Sequence, residues 1–117
     1  MAFNGNFLCT SFKVELMKGV HNFTAASNVF KIALYTNSAT FTAATTAYTA
    51  TNEVSGTNYT AGGNFLTSVT PVAISTTALT DFADEVFSTV TISAVRGALI
   101  YNAPASGDPT VCVLDFG

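Results

Sequence analysis

Charge is what this sequence has least of. Four Lys/Arg and seven Asp/Glu in 117 residues make a charged share of 9%, against about 25% in ordinary soluble domains. No basic residue lies between Lys31 and Arg96. Without a cationic patch to displace the counterions of a nucleic acid, direct nucleic-acid binding is not expected. Tryptophan is absent, which weakens any carbohydrate-stacking site. The one histidine, His21, stands alone, whereas nucleophilic catalysis needs a base beside its nucleophile. Cys9 and Cys112 are the only cysteines and show no metal-ligand spacing. "MAFNGNFLCTSF" lacks the basic start and apolar core of an export signal, so the two thiols read as small buried hydrophobes rather than a disulfide. No run of about 18 apolar residues occurs, and no membrane partner is expected. A chain made in a cytoplasm is the simplest expectation.

In place of charge there is threonine, 19 residues in all. The stretch "KIALYTNSATFTAATTAYTATNEVSGTNYTAGGN", Lys31 to Asn64, holds a single acid, Glu53. Thr is β-branched, suits a pleated strand and presents a hydroxyl without a charge to desolvate. So little charge would serve a solitary monomer poorly. It suits a protein that works inside an assembly, where hydroxyls pair across an interface and few ions must be stripped of water.

The length allows one compact domain, residues 1–117. In "FLCTSFKVELMKGVHNF", Leu8, Phe12, Leu16 and Val20 recur every fourth residue, which predicts a helix over about 7–18. Asn6 is placed to cap it, Gly19 to stop it, and its apolar stripe to enter the domain's own core. From about residue 29 onward the period becomes two. "VFKIALYT", "NFLTSVTPVAIS", "EVFSTVTIS", "RGALIYN" and "TVCVLDF" read as strands, the second interrupted at Pro71. "VSGTN", "AGGN" and "APASGDP" read as turns. The expected fold is mainly β, an antiparallel β-sandwich or partly open barrel with one N-terminal α-helix. Ser38–Glu53 reads as a surface loop, a short helix or a Thr-rich strand, and is the best candidate for touching a neighbour.

Catalytic parts are scarce. His21, just past the helix stop, is expected to face solvent or the helix dipole. "DFADE" gathers Asp81, Asp84 and Glu85, but a solvated turn accounts for it better than a calcium site wanting six to eight oxygens. The terminal "DFG" lacks every other kinase element, and no Lys- or Ser-bearing helix follows "AGGN" as in a phosphate loop. "NFT" and "NYT" match the glycosylation pattern by composition alone. Tyr35, Tyr48, Tyr59 and Tyr101 are the aromatics available to a sugar platform. No enzyme activity and no cofactor are expected.

"VFKIALYTNSATFTAATTAYTATNEVSGTNYTAGGN", "LTDFADEVFSTVTIS", "RGALIYN" and "VCVLDFG" resemble a family of small virion-structural proteins of tailed bacteriophages, many described only as hypothetical. The similarity runs from about Phe7 to the end; "TNEVSGTNYTAGGN", "TDFAD" and "RGALIYN" are its most specific parts. Similar proteins generally continue past "LDFG" with another strand-forming stretch, so the resemblance implies an unpaired sheet edge beside the last strand. It also implies a place in the virion and no catalytic residues. The expected function is a capsid decoration, or cement, protein bound to the major capsid protein. The alternative is a tail or tail-fibre component bound to other tail proteins and touching host-surface glycans. A homo-oligomer is expected in either case, and the interface candidates are Tyr48, Asn52, Glu53, Asn58, Tyr59, Leu114 and Phe116.

Overall fold

The computed structural model describes residues 3–117. Seven strands form two antiparallel sheets that do not close into a barrel, so the fold is mainly β and sandwich-like. The larger sheet has the order β1-β7-β6-β2-β3, from Phe7–Leu8 (β1), Phe30–Thr36 (β2), Asn64–Phe65 (β3), Val95–Asn102 (β6) and Thr110–Asp115 (β7). A separate two-stranded ribbon pairs Ser68–Ile74 (β4) with Thr77–Phe82 (β5).

Alternation in β2, β6 and β7 makes the centre of the large sheet. Ala33 pairs with Leu99, which pairs with Val113, and all three are fully buried in one apolar cluster. Their neighbours Leu34 and Ala98 pair in turn and fall in a second cluster. Both faces of β2 are covered. Phe30, Ala33 and Tyr35 are all 0% exposed. Loop side chains, Phe41 on one cluster and Val54, Phe87 and Ile92 on the other, join Phe12 of the helix and Phe82 of β5 in that cover.

The helix α1 is shorter than expected, Thr10–Met17. Phe7 and Leu8 are drawn instead into a ladder with Val113 and Cys112. Asn6 does not cap the helix; its Oδ1 accepts from the Asp115 N–H at 2.7 Å. The N-cap residue is Cys9, without a side-chain cap bond, and the Thr10 N–H is satisfied by the Ala43 carbonyl. Gly19 ends the helix at φ +75°, as its position in the sequence suggested. The stripe fails as a core element. Phe12 is 6% exposed, but Leu8 and Leu16 are 53% and 46% exposed. The sheet edge expected to be open beside β7 is occupied by β1, and Asn6 extends that cover.

Two further expectations are corrected. "EVFSTVTIS" forms no strand beyond a single bridge, Thr57 to Thr91. Thr89 and Ala94 take φ of 55° and 57°, which breaks an extended run, while Phe87 and Ile92 pack on the second apolar cluster. A strand not expected from the sequence, β5, pairs with β4 across the Ser75–Thr76 turn, with Pro71 inside a register shift between Val69 and Val72. His21 does not face solvent. It packs 5.0 Å from Phe12 and 6.2 Å from Phe30 between ring centroids. Its Nε2 donates to Glu15 Oε1 at 3.0 Å, and its Nδ1 accepts from Asn102 Nδ2 at 3.2 Å. Among the described residues no helix is long and apolar enough to cross a membrane.

Candidate interaction surface

The hydroxyl-rich segment between β2 and β3 is a loop, bridged to β2 at Glu53 and to the β6–β7 turn at Ala47. Glu53 is its anchor. Glu53 Oε1 accepts from the Tyr59 hydroxyl at 2.7 Å and the Gly62 N–H at 2.8 Å. Glu53 Oε2 accepts from the Tyr48 hydroxyl at 2.7 Å. A carboxylate that gathers three donors is strongly held, because charge-assisted bonds exceed neutral ones. The Tyr59 oxygen also accepts from the Leu34 N–H on β2 at 2.9 Å. Tyr48 stacks on Tyr101 at 4.6 Å between centroids, and the Tyr101 hydroxyl donates to the Gly62 carbonyl at 2.7 Å.

The "AGGN" turn makes this closure possible. A Cβ at Gly63, whose φ is +79°, would collide with the Ile32 carbonyl. The tyrosines are held protonated by their surroundings. Burial, then the Glu53 charge, pushes the Tyr35 phenol up. Burial and the bond to Glu53 do the same to Tyr48. Burial raises Tyr59 against the opposing Leu34 bond. Burial, with Asp108 and Glu53 adding, pushes Tyr101 up to about 12.

Tyr48, Glu53 and Tyr59 thus come together, but their polar groups bind one another. Asn52, at φ 64°, uses Nδ2 to hold the Ser38 carbonyl at 3.0 Å. Asn58, at φ 63°, donates to the Thr89 carbonyl at 3.0 Å. Each asparagine pins a left-handed turn, a conformation this residue type tolerates well. Leu114 packs against both apolar clusters. Phe116 is the member of the candidate set with a large free apolar surface, 55% exposed.

The surface with least internal cover lies elsewhere. On the β4–β5 ribbon, Val69 pairs with Asp81, Val72 with Leu79 and Ile74 with Thr77. Cross-strand partners share a face, so Val69, Val72, Ile74 and Leu79 stand on one side of the ribbon. They are 45%, 57%, 62% and 41% exposed. The ribbon is attached at its base: Phe82 lies 5.6 Å from Phe30 between ring centroids, and Thr70 Oγ1 accepts from the Ala25 N–H. Between this arm and α1 runs an apolar groove of about 440 Å³. Leu8, Phe12 and Leu16 form one wall, and Pro71, Leu79 and Phe82 the other. Cys112 also lines it, and burial pushes that thiol up to about 12, leaving it little thiolate near neutrality.

Sequence reasoning missed the arm, although "SVTPVAISTTALTDF" carries a signal: apolar residues spaced on either side of a Ser-Thr turn. "DFADE" begins in the last two residues of β5, at the base of the arm, and runs into the loop beyond. Asp81 Oδ1 accepts from the Phe82 N–H, and Glu85 accepts from Asn64 Nδ2. Among the described residues no group of three or more His, Cys, Asp or Glu side chains is gathered as metal ligands. Compared with known proteins, the chain matches no family model, no curated protein and no solved structure.

Proposed function

We propose that this chain is a structural protein of a tailed-bacteriophage particle, a capsid decoration protein that binds the major capsid protein and stabilises the shell. The observation that carries the assembly role is the β4–β5 arm. Its four large aliphatic side chains share one face and stay 41–62% exposed. A two-stranded ribbon alone in water is marginal, and an exposed apolar face of this kind fits a surface completed by a neighbour. The phage assignment rests on the sequence resemblance. No catalytic residues are proposed. Stabilisation follows from mass action: a protein that binds the assembled shell and not its dispersed subunits lowers the free energy of the shell by its binding energy, copy by copy.

The test is the number of copies per particle, measured by quantitative mass spectrometry of purified virions against the major capsid protein. A ratio near one, or a simple fraction of one, is expected. A few copies per particle would move the protein to the tail. Absence from the particle would overturn both placements. The glycan-contacting version of the tail alternative relies on Tyr48 and Tyr59. Their rings stack on Tyr101 and Phe87, and their hydroxyls are bonded to Glu53, so little of either is offered to a sugar.

A further inference from the structure

We propose that the outer face of the β4–β5 arm packs on the α1 side of a second copy of this chain, and reciprocally, so that two arms and two helices close one twofold interface. This specifies a partner for the assembly surface proposed above and rests on that reading only in treating the arm as an interface.

Three observations point to a second copy. The arm is two-faced: Ala78, Thr80 and Phe82 line the chain's own groove, while Val69, Val72, Ile74 and Leu79 share the opposite face by register, with Leu79 also reaching the groove's edge. A complementary apolar surface is present on the same molecule. Leu8, Leu16 and Met17 at and beside the helix are 53%, 46% and 83% exposed. The two patches together hold seven large apolar side chains, each 41–83% exposed, a size suited to the about 800 Å² that each partner gives to a standard interface.

Charge supplies the third. Arg96 is paired with Asp115 at 3.0 Å, and Lys31 Nζ sits 4.7 Å from the centre of the Phe65 ring. The remaining basic side chains, Lys13 and Lys18, are exposed on and at the end of α1 and, among the described residues, are in no ion pair. Glu15 and Glu53 are taken up by His21 and by the tyrosines. The exposed acids Asp81 and Asp84 lie at the base of the arm. Asp81 shares the arm's apolar face, since it pairs with Val69. One copy's helix therefore carries the cations, and the other copy's arm the carboxylates, that each lacks. An isologous contact satisfies both at once and closes at two copies.

Sedimentation equilibrium of the purified full chain, from about 1 to about 100 µM, is the test. A dimer is expected at the upper end. Leu79→Asp and Ile74→Asp are each expected to leave a monomer with an unchanged circular dichroism spectrum. Lys13→Glu with Lys18→Glu, and separately Asp81→Lys with Asp84→Lys, are each expected to weaken self-association by about tenfold or more. Mixing the two charge-reversed chains should restore a dimer that neither forms alone. A wild-type chain that stays monomeric throughout overturns the proposal. So does a dimer whose affinity is unmoved by the arm variants, or a mixture with no rescue. Copy number in the virion is independent: a monomer abundant in particles sinks this interface and spares the virion role, and a dimer absent from particles does the reverse.

Discussion

The loop that covers the large sheet and the β4–β5 arm are built from similar residues, Thr, Ala, Val and the occasional aromatic, with hardly a charge between them. They meet opposite fates. In the loop, Glu53 collects two tyrosine hydroxyls and a backbone N–H, Tyr48 stacks on Tyr101, and Thr110 Oγ1 donates to the Thr45 carbonyl at 2.7 Å. In the arm, Val72 and Ile74 are more than half exposed and each strand has only the other as its ladder partner. A hydroxyl-rich, charge-poor composition therefore does not locate an interface. What separates the regions is whether the polar groups and rings already have partners. The loop's are committed inside the chain, and the arm's apolar face is not.

The contrast breaks or sharpens under substitution. Phe30, fully buried and stacked on Phe23 at 4.5 Å, is where the arm's base meets the core. Phe30→Ala is expected to cost about 3–5 kcal/mol in denaturant unfolding. A much smaller loss would mean that this centre is loosely packed.

Glu53→Gln should cost about 2–4 kcal/mol, because it weakens charge-assisted bonds and turns one of the two acceptor oxygens into a donor, leaving one part-buried tyrosine hydroxyl to find another acceptor. If that variant unfolds at the wild-type midpoint, the loop is not closed in the sense argued above.

The third effect is on pH. Tyrosine in an unfolded chain titrates near 10, and all four phenols are raised in the folded protein, Tyr101 to about 12. Above about pH 10 the folded chain then holds more protons than the unfolded one. The Cys112 thiol, near 8.5 in an unfolded chain and pushed up to about 12 by burial, starts the decline first, so stability is expected to be flat up to about pH 8 and to fall as pH climbs toward the folded values. An ultraviolet titration showing free tyrosinate near pH 10 in folded protein would contradict this.

The smallest effect belongs to the arm. In solution dilute enough to keep copies apart, Ile74→Ala should change unfolding free energy by less than about 0.5 kcal/mol. Amides of β4 and β5 should also exchange with solvent far faster than those of β6. Slow exchange in the arm of an isolated monomer would erase the distinction.

The large sheet was legible because β2, β6 and β7 combine period-two alternation with turns of Gly, Pro and Asp. The helix was legible at Phe12 and Gly19, but its start was not. Phe7 and Leu8 fit a helical stripe as well as a short strand, and only the distant partner Val113 decides between them. "EVFSTVTIS" failed for a similar reason. Its alternation is real, yet its Phe and Ile are used to cap a cluster, Thr89 turns left-handed within it and Ala94 just past it. Of the candidate site, Glu53 carried a readable signal: a lone acid with Tyr48 and Tyr59 on either side. That signal reports an internal clasp as readily as an interface. The arm's exposure had none, because burial depends on what the rest of the chain covers.

The pairing of Phe7–Leu8 with Val113–Cys112, beside the bond from Arg96 Nη2 to the Phe3 carbonyl, has a consequence in time. Residues 7 and 8 must wait for residues 112 and 113, made much later, before the sheet can gain its outer strand. Contacts this remote along the chain form late and slowly, since the loop between them must close before they reward it. On the ribosome the growing polypeptide accordingly carries an unfinished edge until β7 emerges, and the segment ahead of α1 is the last piece to be locked down.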